Sequence, residues 1–452
     1  MLLCAPRVKL LVFQQRRTLT SSLAKRFSFN AQPLRASQAQ FFFSFFFRDC
    51  IDFLPWLEQI AGAKLTNTLS IGKSVYGSRA LFASKVIHAG DCILKVPFNA
   101  QITPDELPAD IRVSLTDKVG NIGKLAALLM IEINAGQNSR WFPYISRLPQ
   151  LSDMHSAIFW DENEFSMIRC SAVHKESVKQ KARIEKEFSL VSQAFKEHLP
   201  KAIERPALEN FIRPCMYAYT LVGSRAWETS RGISLIPFAD FMNHDGLSAS
   251  IVLTDEDNQL SEVTADRDYS PGCQEVLIRY GEFSNATLML DFGFTLPYNT
   301  HDEVQIQMDI PNDDPLRNMN LGLLQTHYTR SVKDINIFHS SYDTFTIKEV
   351  KSATGKGIPQ SLLAFCTSSL LYRSSRSREL EAHKIILAHI NSLIVDHSVC
   401  IKEHLISVLN HKGLLLELRR QMARELIFGE LRVLRSAAEW LIHYCTNLFS
   451  AP

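Results

Sequence analysis

The 452-residue sequence lacks the local patterns of metal and disulfide sites. Its nine cysteines include no Cys-x-x-Cys or Cys-x-Cys pair, and its fourteen histidines include no His-x-x-x-His or His-Glu-x-x-His pair. Such pairs are the usual ligand patterns of zinc sites, and regularly spaced cysteines are typical of disulfide frameworks. We therefore expect no metal site, and we expect most cysteines to be buried thiols in a reducing compartment.

Long apolar runs and phosphate-binding loops are also missing. The longest apolar runs, such as Leu125–Ile131, fall far short of the roughly 20 residues that span a bilayer, so no transmembrane segment is expected. Gly72-Lys73-Ser74 ends like a phosphate-binding loop, but Asn67 stands where such a loop has a glycine.

Acidic residues are absent from the first 48 positions, which contain eight Lys or Arg together with several Ser and Thr. This composition predicts an organelle transit peptide over residues 1–48, with a disordered basic tail as the alternative. The rest of the chain has 41 of the 49 basic residues and all 47 acidic ones, a formal charge of −6. A mildly acidic body argues against nucleic-acid binding through a broad basic face.

The apolar pattern predicts an α+β fold with a split β-rich core. Short apolar runs broken by turn residues predict antiparallel strands, with Ala89-Gly90-Asp91 as a hairpin turn, and the period becomes helical from about 104 to 222. Beyond about 305, apolar residues recur at helical spacing, which predicts an all-α C-terminal domain over 306–452. The predicted strand runs are 75–84, 86–97, 233–243, 250–254 and 275–281.

Four segments concentrate residues that suit catalysis or binding. They are Tyr76-Gly77-Ser78-Arg79-Ala80-Leu81-Phe82-Ala83, Gly223-Ser224-Arg225-Ala226-Trp227, Ile236-Pro237-Phe238-Ala239-Asp240-Phe241-Met242-Asn243-His244, and Ile278-Arg279-Tyr280-Gly281-Glu282-Phe283-Ser284-Asn285-Ala286 running on to Leu290-Asp291-Phe292-Gly293-Phe294. Any one of them would suit an ordinary core, but their joint order and spacing is specific. Together they resemble the SET-domain lysine methyltransferases, in particular the plant Rubisco large-subunit methyltransferase class with its split SET domain. The resemblance runs from about Phe53 to the C-terminus and includes residues 139–145 and 419–425.

The resemblance implies a SET catalytic domain over residues 49–305, whose β-rich core is split by the helical insertion at about 104–222. Residues 306–452 would then be the substrate-binding domain. The implied activity is S-adenosylmethionine-dependent N-methylation of a lysine in a non-histone organellar protein, which docks on the helical domain. A monomer without nucleic-acid partner is expected, located in a chloroplast or a mitochondrion.

The resemblance also assigns site residues one by one. Tyr280 matches the catalytic tyrosine, which also touches the cofactor, and Arg225 and Phe292 match residues of the lysine channel. The residues that match the cofactor-binding positions are Ser78, Arg79, Leu81, Ser224, Asp240, Asn243 and His244. Two departures stand out: Ala80 replaces a common glycine, and Phe292 replaces a tyrosine of the Rubisco enzyme, which leaves the degree of methylation open.

The chemistry explains why these residue types would be needed. Methyl transfer from a sulfonium to an amine is an in-line displacement, so the protein must align the two groups and present the amine uncharged. Neutralising a lysine of pKa about 10.4 near pH 7.5–8 costs roughly 3–4 kcal/mol, which an apolar channel and a nearby positive charge can offset. Tyr280 would orient the amine and polarise the methyl group. Two alternatives remain: a protein-histidine methyltransferase, and a non-catalytic protein-binding module with the same fold.

Overall fold

The computed structural model describes residues 52–74, 78–199, 212–229, 232–272, 274–308, 344–351, 357–368, 375–407 and 414–450. The predicted transit peptide lies outside these residues, as do Tyr76 and Gly77 of the first segment. Residues 57–452 form one compact unit, and of residues 1–56 only the start of the first helix is described.

The described strands are short. They are β1 (Leu69–Lys73), β2 (Arg79–Ala83), β3 (Cys92–Pro97), β4 (Ala226–Thr229), β5 (Gly232–Leu235), β6 (Asn243–His244), β7 (Val252–Asp255), β8 (Leu260–Thr264), β9 (Leu277–Ile278), β10 (Glu303–Gln307) and β11 (Thr344–Lys348). Antiparallel pairs join β1 to β2, β4 to β5 and β10 to β11, while β3, β8 and β7 form a three-stranded antiparallel sheet. The β6–β9 pair is parallel, with Asn243 opposite Leu277 and His244 opposite Ile278.

Most of the described helices lie either in the insertion between β3 and β4 or in the C-terminal part of the chain. They are α1 (Phe53–Ala61), α2 (Ala109–Leu115), α3 (Asn121–Ala135), α4 (Phe142–Ile145), α5 (Glu162–Ser166), α6 (Ala172–His198), α7 (Ile212–Arg225), α8 (Asn285–Thr287), α9 (Gln360–Ser368), α10 (Ser375–Ser407) and α11 (Leu414–Ser450). A π-helical turn, Leu288–Phe292, continues α8, and a 3-10 turn, Ala239–Phe241, precedes β6. The predicted α+β fold with a helical insertion in a β-rich core is thereby confirmed.

The helical insertion ends at the second of the four segments, residues 223–227. Buried apolar residues of α3, such as Leu125 and Leu129, face the insertion core, and α7 contributes Leu221 and Val222 to it. Helix α7 ends at Arg225 and β4 follows immediately, so the packing of the insertion fixes where the second segment meets the strands.

Buried polar contacts join the C-terminal helices to the insertion. Arg419 of α11 donates to Glu164 Oε2 at 2.7 Å and to the Met154 carbonyl at 3.2 Å. Glu430, also on α11, accepts from Ser171 at 2.7 Å through Oε1 and bonds His397 of α10 at 2.9 Å through Oε2. Because these acidic and basic partners are buried, the contacts fix the position of α10 and α11 against the insertion.

Two details differ from the sequence prediction. Residues 89–91 do form a turn, in which Asp91 N–H donates to the His88 carbonyl, but the flanking segments do not form a hairpin. Instead β3 pairs with β8, and Ile87 forms a bridge with Tyr269. In the region predicted to be all-α, Thr344–Lys348 is a strand paired with β10.

Helix α10 includes a stretch, Ser377–Lys402, that is apolar enough to be compared with a membrane span. It contains an 18-residue window with a mean hydropathy of 1.3, so by length and composition alone it could cross a membrane. Ala382, Ile386 and Ile390 of this stretch are buried in the C-terminal core, and core helices of water-soluble proteins often pass the same criterion. The expected lack of a membrane span stays a prediction.

The cysteines agree with the sequence prediction where they are described. Cys215, Cys366, Cys400 and Cys445 are buried, Cys170 is half-buried and Cys92 is exposed. All six are free thiols; the other three cysteines lie outside the described residues.

Candidate active site

Tyr280 is held at both its backbone and its hydroxyl. The hydroxyl donates to the Met242 carbonyl at 2.7 Å, and the backbone N–H donates to His244 Nδ1 at 3.1 Å. The ring stacks on Phe292, with centroids 5.4 Å apart. Burial raises the pKa of the Tyr280 phenol well above its ordinary value, so the group stays protonated at neutral pH.

His244 is neutral at physiological pH. Burial lowers its pKa to about 4, because desolvation disfavours the imidazolium form. Since Nδ1 accepts the Tyr280 N–H, the neutral ring has its proton on Nε2. The β6–β9 pairing thus brings the Asn-His element of the third segment beside the tyrosine of the fourth.

Asn243 connects the third segment to the first. Its amide nitrogen donates to the Arg79 carbonyl at 3.2 Å and to Glu275 Oε1 at 2.6 Å. Leu81, two residues along β2 from Arg79, is fully buried, and its carbonyl accepts from Val276 N–H at 2.8 Å. The first segment is therefore fixed to the third by the Asn243 side chain and to the strand that leads into the fourth by a backbone hydrogen bond.

Ser78 lies just before β2, and Ala80 lies within it. Ser78 is exposed, and its hydroxyl is 2.7 Å from that of Ser74. Ala80 is fully buried and pairs with Gly72 across the β1–β2 ladder. The side chain at position 80 therefore points into the core.

Asp240 is the centre of a buried polar cluster. Arg225 Nη1 donates to Asp240 Oδ2 at 3.1 Å and to the Asp240 carbonyl at 2.9 Å, and the Tyr144 hydroxyl donates to Oδ2 at 3.0 Å. The Arg79 guanidinium lies 4.2 Å from the centre of the Phe241 ring. Burial raises the pKa of Asp240, while the charges of Arg225 and Arg79 and the Tyr144 hydrogen bond oppose that rise.

The third segment reaches this cluster through an unusual backbone conformation. Phe238 has φ +76°, a region that non-glycine residues rarely occupy, and its side chain is fully buried. The 3-10 turn Ala239–Phe241 follows directly and presents Asp240 to Arg225. Backbone strain of this kind costs about 1–3 kcal/mol and is commonly found where a functional group must be aimed.

A cavity of about 430 Å³ opens on one side of Tyr280. Of the residues that the sequence assigns to the site, it is lined by Ser224, Arg225, Tyr280 and Phe292. The Ser224 hydroxyl itself donates back into α7, to the Thr220 carbonyl at 2.8 Å. The remaining assigned residues are Ser78, Arg79, Leu81, Asp240, Asn243 and His244, and they are not among the residues that line this cavity.

Tyr280 therefore stands between two parts of the site. Its backbone bonds to His244 of the Asn-His element, and its ring lines the cavity. A group bound beside His244 and a second group entering the cavity would meet at this tyrosine. Such a placement suits a transfer between two separately bound molecules.

Sequence reasoning missed two residues near the cavity. Tyr144 lies in the segment 139–145, which belongs to the resemblance only as a whole; no periodicity indicates that its hydroxyl reaches Asp240. Asp291 lines the cavity and is almost fully buried, and its Oδ1 accepts from Gln180 at 3.2 Å. Burial raises the pKa of Asp291 to about 8.

The architecture matches solved SET-domain structures. The SET domain of LSMT bound to lysine and AdoHcy aligns with a TM-score of 0.69 at 18% identity, covering 89% of this chain and 93% of that one. Rubisco LSMT bound to AdoMet aligns with the same TM-score and coverage at 20% identity. The chain has the fold of these SET-domain structures. The resemblance drawn from the four segments is confirmed.

Sequence relatives agree with this fold, although no family model matches the chain. The Rubisco large-subunit N-methyltransferase of Pisum sativum is 26% identical over 312 residues, covering 64% of this chain and 60% of the relative. The aldolase-lysine N-methyltransferase of Arabidopsis thaliana is 26% identical, with coverage of 55% and 52%. The actin-histidine N-methyltransferase of Gallus gallus is 28% identical, with coverage of 54% and 42%. The chain thus spans about half the length of these curated relatives.

Proposed function

We propose that this chain is an S-adenosylmethionine-dependent protein-lysine N-methyltransferase that acts on a non-histone organellar protein. The observation that carries the proposal is the placement of Tyr280, which bonds His244 on one side and lines a cavity on the other. Two relatives are named as N-methyltransferases of the Rubisco large subunit and of a lysine in fructose-bisphosphate aldolase, which supports protein N-methylation as the reaction class. The alignment with structures bound to AdoMet and AdoHcy supports the cofactor.

The charges around Tyr280 fit a cationic cofactor. S-adenosylmethionine would supply an electrophilic methyl group on a sulfonium. His244 is neutral, so it adds no positive charge, and the charge of Arg225 is offset by Asp240 at 3.1 Å. Asp240 Oδ1 is buried without a partner among the described residues, so this oxygen is free to accept a hydrogen bond from a bound group. We assign cofactor binding to Ser78, Arg79, Leu81, Ser224, Asp240, Asn243 and His244, together with Tyr280.

Tyr280 acts as an orienting group in this proposal. Its phenol remains protonated because burial raises its pKa, and its hydroxyl hydrogen is directed to the Met242 carbonyl. The lone pairs of the phenol oxygen are then available to accept from an amine N–H or a polarised methyl C–H. A tyrosine held in this way aligns the two reactants without removing a proton itself.

The cavity walls favour a neutral amine. Phe292 and Trp227 present aromatic surface, and Arg225, whose charge is offset by Asp240, lies at the same wall. An apolar surrounding and the positive sulfonium of the proposed cofactor both lower the pKa of a lysine ammonium. The proton would leave to solvent through the open side of the cavity before transfer. Phe292 has no hydroxyl with which to hold a water beside the amine, so the number of methyl groups added is a question for the assay.

The test is Tyr280→Phe in the full chain. We expect loss of methyl transfer with unchanged binding of S-adenosylmethionine in calorimetry, because the ring packing on Phe292 is kept while the hydroxyl is lost. Tyr298→Phe is the matched control, since Tyr298 is 62% exposed and does not line the cavity. Undiminished transfer by the Tyr280 variant would contradict the assigned role.

A protein-histidine acceptor is the second candidate. It is favoured by the similarity to the actin-histidine methyltransferase of Gallus gallus. Mass spectrometry of the methylated residue separates the two acceptors. The third reading, a non-catalytic binding module, requires that the chain bind no cofactor, which calorimetry tests directly.

The substrate partner and the compartment complete the proposal. We place protein docking on the helical domain, residues 306–452, and the chemistry in a SET domain over 49–305, in a monomer that binds no nucleic acid. The chloroplast relatives support import by a leader over residues 1–48, with a mitochondrion as the alternative. Incubating the chain, isotope-labelled cofactor and fractionated organelle extracts would identify both substrate and compartment from the labelled band.

A further inference from the structure

Tyr144 is a buried tyrosine of the insertion whose hydroxyl reaches the active-site cluster. It is fully buried, and its O–H donates to Asp240 Oδ2 at 3.0 Å. Its ring stacks on Phe241, with centroids 6.4 Å apart and planes at 17°. Both contacts connect α4 of the insertion to the 3-10 turn that presents Asp240.

Three elements around Asp240 contribute a polar or charged group to it. Arg225 comes from the end of α7, Arg79 from β2 and Tyr144 from α4. Tyr280, after β9, is affected by the charges of Arg225, Asp240 and Glu275. Loss of the Asp240 charge therefore changes the electrostatic potential at the tyrosine where transfer is proposed.

We propose that Tyr144 is a positioning residue whose hydroxyl keeps the Asp240 carboxylate ionised, so that this carboxylate offsets Arg225 and Arg79 where the cationic methyl donor binds. The inference rests on the proposed function and adds to it a residue that controls the charge of the donor site. A buried carboxylate is favoured in its ionised form when it accepts a hydrogen bond. Removal of the tyrosine hydroxyl shifts Asp240 toward its neutral form.

Loss of the Asp240 charge would change the affinities of the two forms of the cofactor to different extents. S-adenosylmethionine has a positively charged sulfonium, whereas S-adenosylhomocysteine has a neutral thioether of nearly the same shape. With Asp240 neutral, Arg225 and Arg79 repel the sulfonium and leave the thioether unaffected. A general loosening of the site would weaken both ligands alike. The ratio of their dissociation constants therefore reports charge separately from structure.

The experiment is calorimetry of both ligands with the full chain and with Tyr144→Phe. We expect the ratio of the S-adenosylmethionine to the S-adenosylhomocysteine dissociation constant to rise about threefold to tenfold in the variant. Tyr217→Phe is the matched control: its hydroxyl donates to the Pro149 carbonyl at 2.6 Å and makes no contact with Asp240, so the ratio stays unchanged.

A double-mutant cycle tests whether Tyr144 acts through Asp240. Asp240→Asn raises the ratio at least as much as Tyr144→Phe, and adding Tyr144→Phe to it causes no further rise. The double variant also keeps the inference testable if Tyr144→Phe alone fails to fold, because it leaves no carboxylate without its donor. Equal weakening of both ligands, or an additive rise in the double variant, overturns the role of Tyr144 and leaves the methyltransferase proposal intact. Failure of the unchanged chain to bind either ligand overturns both.

Discussion

Gly293 occupies a position where any side chain should damage the active-site wall. It ends the π-helical turn after Phe292 and has φ +77°, a left-handed conformation that glycine adopts without penalty. A Cβ at this position would lie 2.7 Å from Ser156 N and 3.1 Å from the carbonyl carbon of His155. Both neighbours are backbone atoms, so they cannot rotate away as a side chain would.

The cost of Gly293→Ala has two parts. The left-handed conformation costs an alanine about 1–2 kcal/mol. Overpacking against fixed atoms adds about 1–3 kcal/mol, for a total of roughly 2–5 kcal/mol. The displaced loop is tied to the turn, because Ser156 Oγ donates to the Leu290 carbonyl at 2.5 Å. The strain should therefore reach Phe292 and narrow the cavity.

Gly62→Ala separates the two parts of this cost. Gly62 has φ +67°, close to that of Gly293, but a Cβ added at Gly62 would meet no atom within 4 Å. It should show the conformational cost alone. Urea unfolding followed by tryptophan fluorescence suits both variants, because Trp160 Nε1 donates to the His155 carbonyl at 3.0 Å and so reports on the displaced loop.

The outcome that refutes this reasoning is equal destabilisation of the two variants. Equal values would mean that the 155–156 loop moves aside freely and that the π-helical turn is not fixed against it. A larger loss in Gly293→Ala, accompanied by weaker methyl transfer at unchanged S-adenosylmethionine affinity, would confirm that this contact supports the acceptor side of the site.

Further predictions concern titratable groups and ion pairs. His244 has a folded pKa of about 4, below its unfolded value, so its contribution to stability is lost as the pH falls from about 6.5 to 4. His244→Gln should remove about 2 kcal/mol of this acid sensitivity between pH 7 and pH 5 in urea titrations. Burial lowers the pKa of His397, but its bond to Glu430 outweighs burial and the pKa is raised, so the stabilisation is present below about pH 6.5 and is lost at higher pH. Glu430→Gln should therefore destabilise the chain more at pH 6 than at pH 9, by up to about 3 kcal/mol in thermal unfolding, whereas a pH-independent loss would contradict the pairing. Arg419→Met, which leaves the buried Glu164 without its 2.7 Å partner, should cost about 3–5 kcal/mol, and Arg419→Met with Glu164→Gln should recover part of that loss.

The candidate site residues could be named from the sequence because they are clustered in four short segments whose joint order and spacing is specific. The structure brings Asn243, His244 and Tyr280, from two of these segments, together through one parallel strand pair. Helical periodicity likewise indicated the insertion, because amphipathic spacing is a local property. Features that depend on residues close together in the sequence could therefore be predicted from it.

The details that escaped prediction depend on contacts between distant residues. The pairing of β3 with β8 joins residues about 170 positions apart, so the local turn at 89–91 suggested a hairpin that does not exist. The hydrogen bond from Tyr144 to Asp240 joins residues 96 positions apart. Phe238 has a positive φ that non-glycine residues rarely adopt, so its residue type does not predict this conformation. Neither periodicity nor residue type reports such constraints.

The polar contacts between the C-terminal helices and the insertion bear on how a protein substrate would be presented. Buried ion pairs are costly to desolvate, so Arg419–Glu164 and His397–Glu430 are poor explanations for stability. They are directional, however, and a slide of α11 by one helical turn would leave these buried charges unpaired. The same insertion positions Arg225 at the cavity wall through α7. A substrate docked on α10 or α11 would therefore be held in a fixed orientation to the cavity, and specificity for one target residue could arise from that orientation as well as from the shape of the cavity.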